Sequence, residues 1–141
     1  MFGRAYVEIT NRCNLHCAFC PGTKRPSRDM SPAEFKTVLT KLRPLTRYLY
    51  LHVMGEPLLH PQLEALLSLA AERDFRVCLT TNGVLLSERT ETLLAAPALH
   101  KVSISLHSFE GNEGGEARLL PYLNDVWDFA RRAAAQGVIC V

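Results

Sequence analysis

Short apolar runs and helix-period segments alternate along nearly the whole of this 141-residue chain, the pattern of repeated strand-helix units around a parallel sheet. The runs Ala5 to Thr10, Tyr48 to Val53, Phe75 to Thr81 and Lys101 to Leu106 read as strands one to four. Between the first two, Ser31, Pro32 and Glu34 form a capping box with proline at the first helical position, and Phe35, Val38, Leu39 and Leu42 make one apolar face. Pro61 precedes a helix in which Leu63, Leu66, Leu67 and Ala70 recur at three-four spacing. Asn82-Gly83 is a turn dipeptide after strand three, with Ser87 expected to cap the helix that ends before Pro97. A last helix, around Asp125 to Gln136, turns Val126, Phe129, Ala130 and Ala133 inward and stops at Gly137, a residue suited to a left-handed cap. Val138 to Val141 then reads as the first half of a buried parallel strand. The expected fold is α/β, four βα units and part of a fifth around a parallel sheet, in a single domain over residues 1–141 that is incomplete at its C-terminus. Such a chain leaves a sheet edge open to association.

Directly after the first strand come three cysteines in one short stretch, Cys13, Cys17 and Cys20 of CNLHCAFC. Three thiolates can hold an iron-sulfur cluster and leave one iron open. Such clusters usually take four cysteines, and an open coordination position is the mark of a catalytic metal site. The competing reading is structural zinc, with a fourth ligand from His16, His52, His60 or another thiol, although zinc sites usually bring paired C-x-x-C knuckles and this chain has one such pair. Thiol redox chemistry is a third reading of the same loop.

The rest of the composition sets bounds. A hydrophobic content of 48% supports a real core, and a formal net charge of +2 gives no argument for nucleic acid or an anionic membrane as a partner. The apolar stretches are interrupted by Glu64 or Arg73, far short of the roughly 20 residues of a membrane span. The start, MFGRAYVEIT, lacks the apolar core and cleavage site of a signal peptide. Five cysteines, three of them crowded together, do not make an even disulfide framework, so a reducing, cytoplasmic setting is expected. Cys78 and Cys140 lie inside strands and read as buried, hydrophobe-like thiols.

The spacing C-x3-C-x2-C, with Phe19 just before the last cysteine, resembles the signature of the radical S-adenosylmethionine (radical SAM) enzymes. The resemblance implies that Cys13, Cys17 and Cys20 ligate a 4Fe-4S cluster, whose fourth iron is chelated by the amine and carboxylate of S-adenosyl-L-methionine, and that Phe19 packs near the adenine. After strand two, Met54-Gly55-Glu56-Pro57 resembles the family's Gly-Gly-Glu-Pro motif, which meets the cofactor's amino group. In that role Gly55 lets backbone come close, Glu56 supplies a carboxylate and Pro57 fixes the turn, while Met54 departs from the pattern. An ordinary strand-to-helix loop is the alternative for these four residues.

After strand three, Thr80-Thr81-Asn82-Gly83 resembles a segment of the subgroup that includes molybdopterin-precursor cyclases and peptide-maturing enzymes, in which the residue matching Thr80 contacts the cofactor. Thr80 and Asn82 share a strand face and Thr81 takes the other; for Asn82 a plain hydrogen-bonded turn is the competing account. On strand four Ser105 matches the family serine that hydrogen-bonds the ribose or nearby cofactor groups, and His107 stands where relatives often have aspartate. Cys13, Glu56, Asn82 and His107 all follow strand ends, which gathers the candidates on one rim.

The resemblance further implies a partial (β/α) barrel of parallel strands, of whose six units this chain supplies about four and a half, together with reductive cleavage of S-adenosylmethionine to a 5'-deoxyadenosyl radical, hydrogen abstraction from a small-molecule or peptide substrate, and an electron donor such as flavodoxin or ferredoxin. That first step needs no general acid or base, so no side chain is singled out as catalytic. Lys24, Arg25 and Arg28 read as a solvated basic loop, or else a contact for an acidic electron donor or substrate. Ser108 to Arg118 reads as a surface loop, with a lid as the alternative. The rival to the enzymatic reading is a zinc-stabilised module, or one that binds a cluster without turnover.

Overall fold

A computed structural model describes residues 2–110 and 116–141. Five strands, β1 (Ala5–Tyr6), β2 (Tyr48–Tyr50), β3 (Arg76–Thr81), β4 (Leu99–Ile104) and β5 (Ile139–Cys140), form one sheet in sequence order with every pairing parallel. Helices α1 (Pro32–Leu42), α2 (Leu63–Ala71), α3 (Leu86–Leu94), α4 (His107–Glu110) and α5 (Leu119–Ala135) lie between them, with short 3₁₀ turns at Pro57–Leu59 and Glu116–Arg118. The alternation expected from sequence is the architecture found. Residues 111–115, part of the segment read as a surface loop or lid, lie outside the described residues.

Period-two alternation gives the sheet two unlike faces. Leu49, Leu51, Val77, Leu79 and Val102 pack against Phe35 and Leu39 of α1, Leu63, Leu66 and Leu67 of α2, Leu86 and Leu93 of α3, and Phe129 and Ala133 of α5. Tyr6, Tyr50 and His52 take the other face, their rings in contact at centroid distances of 5.0 Å and 5.9 Å along that row. The capping box of α1 forms as expected: the Glu34 N–H donates to the Ser31 hydroxyl and the Ser31 N–H to the Glu34 carboxylate. Gly137 closes α5 at φ 78°, with the Val138 N–H returning to the Ala133 carbonyl.

Several boundaries differ from expectation for physical reasons. Strand one is short because residues after Val7 leave β2 for the segment 28–30: the Met30 N–H donates to the Ile9 carbonyl, and Thr10 and Asp29 form an antiparallel bridge. Strand four lies earlier, at Leu99–Ile104, since its start pairs with Val77 ahead of a register shift between Val77 and Cys78. Ser87 is not the cap of α3. Leu85 holds that position without a side-chain cap bond, and the turn is closed instead by the Leu86 N–H on the Gly83 carbonyl. Helix α5 begins at Leu119, ahead of the expected Asp125; Pro121 falls in its first turn, where a missing N–H leaves no intrahelical bond unmade. Cys78 is buried as expected, while Cys140 is half-buried because β5 is an edge strand.

Candidate functional site

The cysteine segment is a loop with a built stem. At its base Thr10 and Arg12 converge on Asp29: the Thr10 hydroxyl donates to Oδ1 at 2.7 Å, and the Arg12 guanidinium reaches Oδ1 at 3.1 Å and Oδ2 at 2.8 Å. Burial pushes the Asp29 pKa up, but these donors outweigh it and hold it below its ordinary value. Arg12 also donates to the Leu59 carbonyl at 3.3 Å, and Asn11 clamps the returning strand through Pro26 and Arg28. Of the basic residues, Arg25 pairs with Glu8 at 2.7 Å and Arg28 with Glu34. Inside the loop the Cys20 N–H turns back to the Cys17 carbonyl at 3.0 Å, and the Gly22 N–H approaches the Cys20 sulfur at 3.4 Å. Partial desolvation raises the Cys13 thiol although the residue remains exposed.

The loop after β2 is fastened to that stem by a glycine. Gly55 has φ +81°, and a Cβ there would stand 2.7 Å from the carbonyl oxygens of both Arg12 and Thr10. The adjacent Glu56 N–H donates to the Arg12 carbonyl at 2.7 Å. The close approach expected at Gly55 therefore occurs against the chain's own backbone. Pro57 opens the 3₁₀ turn that Glu56 caps.

Glu56 itself is 2% exposed. Its carboxylate accepts from the Leu58 N–H at 3.0 Å, the Thr81 hydroxyl at 2.7 Å and the Asn82 N–H at 2.8 Å. Burial pushes its pKa up against the pull of these three donors. The side chain expected to meet an ammonium is thus directed onto donors from its own turn and from the end of β3. Thr81 does point away from Thr80, and its role on the buried side was not read from sequence: it fixes Glu56 and accepts from the Gly83 N–H at 3.1 Å.

Asn82 is more than a turn residue. Its side-chain amide donates to Asn14 Oδ1 at 2.9 Å and lies 4.0 Å from the Cys13 sulfur, while its Oδ1 accepts from the Val84 N–H. Thr80 bonds His52 Nε2 at 3.1 Å, and burial lowers the His52 pKa, favouring the neutral ring. Ser105 leaves β4 with its N–H on the Thr81 carbonyl at 2.8 Å. Phe19 is 56% exposed, and its ring lies 5.0 Å from that of His107.

These residues surround one open basin of about 860 Å³, within the roughly 300–1,000 Å³ range of small-molecule sites. Cys13, Cys17, Cys20, Phe19, Gly55, Glu56, Thr80, Asn82 and Ser105 all line it, along with His52; Pro57 and His107 are not part of the lining. Of the three histidines weighed as a fourth zinc ligand, His52 and His60 already hold hydrogen bonds. His60 is fully buried with both ring nitrogens bonded, to the Met30 carbonyl and the Gln62 N–H, and His52 is bonded to Thr80. Among the described residues no three His, Cys, Asp or Glu side chains converge on one metal-ion position. A four-iron cluster asks for something else, because its thiolates bind separate irons around a shared cube, and three cysteines on the lip of a roomy basin fit it.

A sequence model of the Radical SAM superfamily matches residues 7–141. The GTP 3',8-cyclase of Chlorobaculum tepidum is 33% identical over 117 residues, covering 77% of this chain and 35% of that protein. The S-adenosyl-L-methionine-dependent 2-deoxy-scyllo-inosamine dehydrogenase of Niallia circulans is 28% identical over 115 residues, covering 77% and 46%. The crystal structure of BtrN in complex with AdoMet and 2-DOIA superposes with a TM-score of 0.76 at 26% identity over 100% of this chain and 56% of that one. Streptococcus suis SuiB bound to S-adenosylmethionine shares the fold, with a TM-score of 0.63 at 18% identity over 96% of this chain and 38% of its own. The chain spans less than half the length of the two curated relatives.

Proposed function

The chain belongs to the radical SAM superfamily, and from that premise we propose that it binds a 4Fe-4S cluster through Cys13, Cys17 and Cys20 and S-adenosyl-L-methionine at the open iron. The observation that carries this reading is convergence: the cysteine loop and the residues after β2, β3 and β4 meet in one basin at the C-terminal rim of a parallel sheet. Held by Cys13, Cys17 and Cys20 and reduced by an external donor, the cluster would supply one electron for cleavage of the sulfonium's carbon-sulfur bond, with methionine as the leaving group and a 5'-deoxyadenosyl radical for hydrogen abstraction.

The protein's part is binding and orientation. With the Glu56 carboxylate held by Leu58, Thr81 and Asn82, we assign the acceptor role toward the methionine ammonium to the main chain of Met54 and Gly55, two residues that line the basin. Glu56 and Pro57 fix the turn that presents them. Thr80, oriented by the neutral His52 ring, and Ser105 offer hydroxyls to the nucleoside, and the exposed face of Phe19 borders the adenine. Asn82 stands beside the Cys13 sulfur as a donor.

The relatives act on GTP or on 2-deoxy-scyllo-inosamine, as their names state, and one fold neighbour was crystallised with its precursor peptide. A small molecule or a peptide is the substrate class proposed here, with flavodoxin or ferredoxin as the electron donor in the cytoplasm. No helix among the described residues is long and apolar enough to cross a membrane.

The test is turnover. Anaerobically reconstituted protein given dithionite and S-adenosylmethionine should release 5'-deoxyadenosine and methionine, and Cys17→Ala should release neither. Iron-loaded protein that cleaves nothing would leave a cluster-binding module without turnover.

A further inference from the structure

Building on the cluster reading above, we infer that Tyr122 of α5 is a positioning residue for the cysteine loop, acting through Asn82. It is buried and does not line the basin. Its hydroxyl donates to the Asn82 carbonyl oxygen at 2.8 Å, and its ring stacks on Phe109 with centroids 4.3 Å apart and 15° between the planes. Burial, aided by the Glu56 charge, pushes the hydroxyl's pKa up to about 12, so it remains a donor across the working range of pH. Gly83 makes the room: a Cβ there would lie 3.0 Å from the hydroxyl oxygen and 3.1 Å from Ile104 Cγ2.

Asn82 joins four segments. Its N–H goes to Glu56 after β2, its Oδ1 receives the Val84 N–H before α3, its carbonyl receives Tyr122, and its side-chain amide reaches Asn14 and the Cys13 sulfur. The amide is the part that faces the proposed cluster, and the other three contacts set its direction. Tyr122 ties that set to α5 across 40 residues of chain. Groups behind metal ligands, and hydrogen bonds to ligand sulfur in particular, set affinity and potential. Tyr122 acts one contact further back.

The test compares the full chain with Tyr122→Phe and Phe109→Leu, each reconstituted anaerobically with iron and sulfide. The first keeps the ring and removes the donor; the second disturbs the same packing and keeps the donor. Tyr122→Phe should lose iron to a chelator about fivefold faster, the factor that one neutral hydrogen bond of typical net strength supports. It should also shift the electron paramagnetic resonance g values of the reduced cluster, which Phe109→Leu should leave in place. In the cluster-free chain Tyr122→Phe should move the Asn82 side-chain amide resonances. Replacing tyrosine by 3-fluorotyrosine, which strengthens the donor without removing it, should move the Asn82 carbonyl resonance, a check that does not depend on the variant folding.

Unchanged iron loss, g values and Asn82 resonances overturn the inference, as does an equal g shift in Phe109→Leu. Wild-type protein that assembles no cluster overturns the cluster reading instead, and the resonances of the cluster-free chain still decide whether Tyr122 sets Asn82.

Discussion

The Glu56-Thr81-Asn82 knot and the cysteine loop lie side by side, yet they are built on opposite terms. The knot is buried and hydrogen-bonded: a 2%-exposed carboxylate takes three donors from two segments, and Gly55 lets its backbone press on the stem of the neighbouring loop. The cysteine loop is anchored at its base by Asp29 and Asn11 but leaves Cys13 and Cys20 exposed. A buried polar network is costly to disturb because removing one member leaves the others unpaired. An exposed loop tip carries little folding energy and is free to be specified by what it binds. Stability and cofactor capture should therefore separate between the two regions.

The strongest way to break that comparison is at the loop. Cys20→Ala should reduce cluster iron to background, while the cluster-free chain keeps its unfolding free energy in urea to within about 0.5 kcal/mol. A large loss of stability would show that the loop is part of the core after all. At the knot the pattern should invert: Glu56→Ala strands buried donors and should cost about 3 kcal/mol or more in urea unfolding. Gly55→Ala, with a left-handed φ and two carbonyl oxygens in the way, should cost at least about 2 kcal/mol.

The pH dependence sharpens the contrast because the two regions have opposite signs. Burial raises the Glu56 pKa, so the folded chain holds that proton more tightly than the unfolded one. Its contribution is full below the unfolded value of 4.5 and is lost as pH rises through the raised folded value. Glu8 in the loop's stem is lowered, chiefly by the Arg25 hydrogen bond; its contribution is present above its unfolded value and lost as pH falls through the folded one. Urea midpoints against pH should change slope near and above pH 4.5 in Glu56→Gln, and on the acid side in Arg25→Ala. The smallest effect belongs to Phe19→Ala: stability unchanged to within about 0.5 kcal/mol, with S-adenosylmethionine binding to reconstituted protein weakened about fivefold if the ring borders the adenine.

The helix-packed half of the molecule was legible because its signals are local. The Ser31 capping box, the stripes on α1 and α2 and the Gly137 cap follow from periods and offsets within one segment. The cysteine spacing was legible for the same reason. What escaped depends on segments that meet late in the fold. The direction of the Glu56 carboxylate is decided by Thr81 and Asn82, 25 and 26 residues away. Strand one is cut short by a ladder to residues 28–30 that no periodicity announces. Tyr122 lies in a helix whose first turn contains Pro121, which disguised its start, and its partner is 40 residues back.

Iron and acid-labile sulfide per chain, measured after anaerobic reconstitution together with the electron paramagnetic resonance spectrum before and after adding S-adenosylmethionine, test the central claim most directly. The account predicts about four irons and four sulfides per chain, and a reduced-cluster signal that S-adenosylmethionine shifts in the wild type. Stoichiometric zinc in a colourless protein, or a cluster signal indifferent to S-adenosylmethionine, would contradict it.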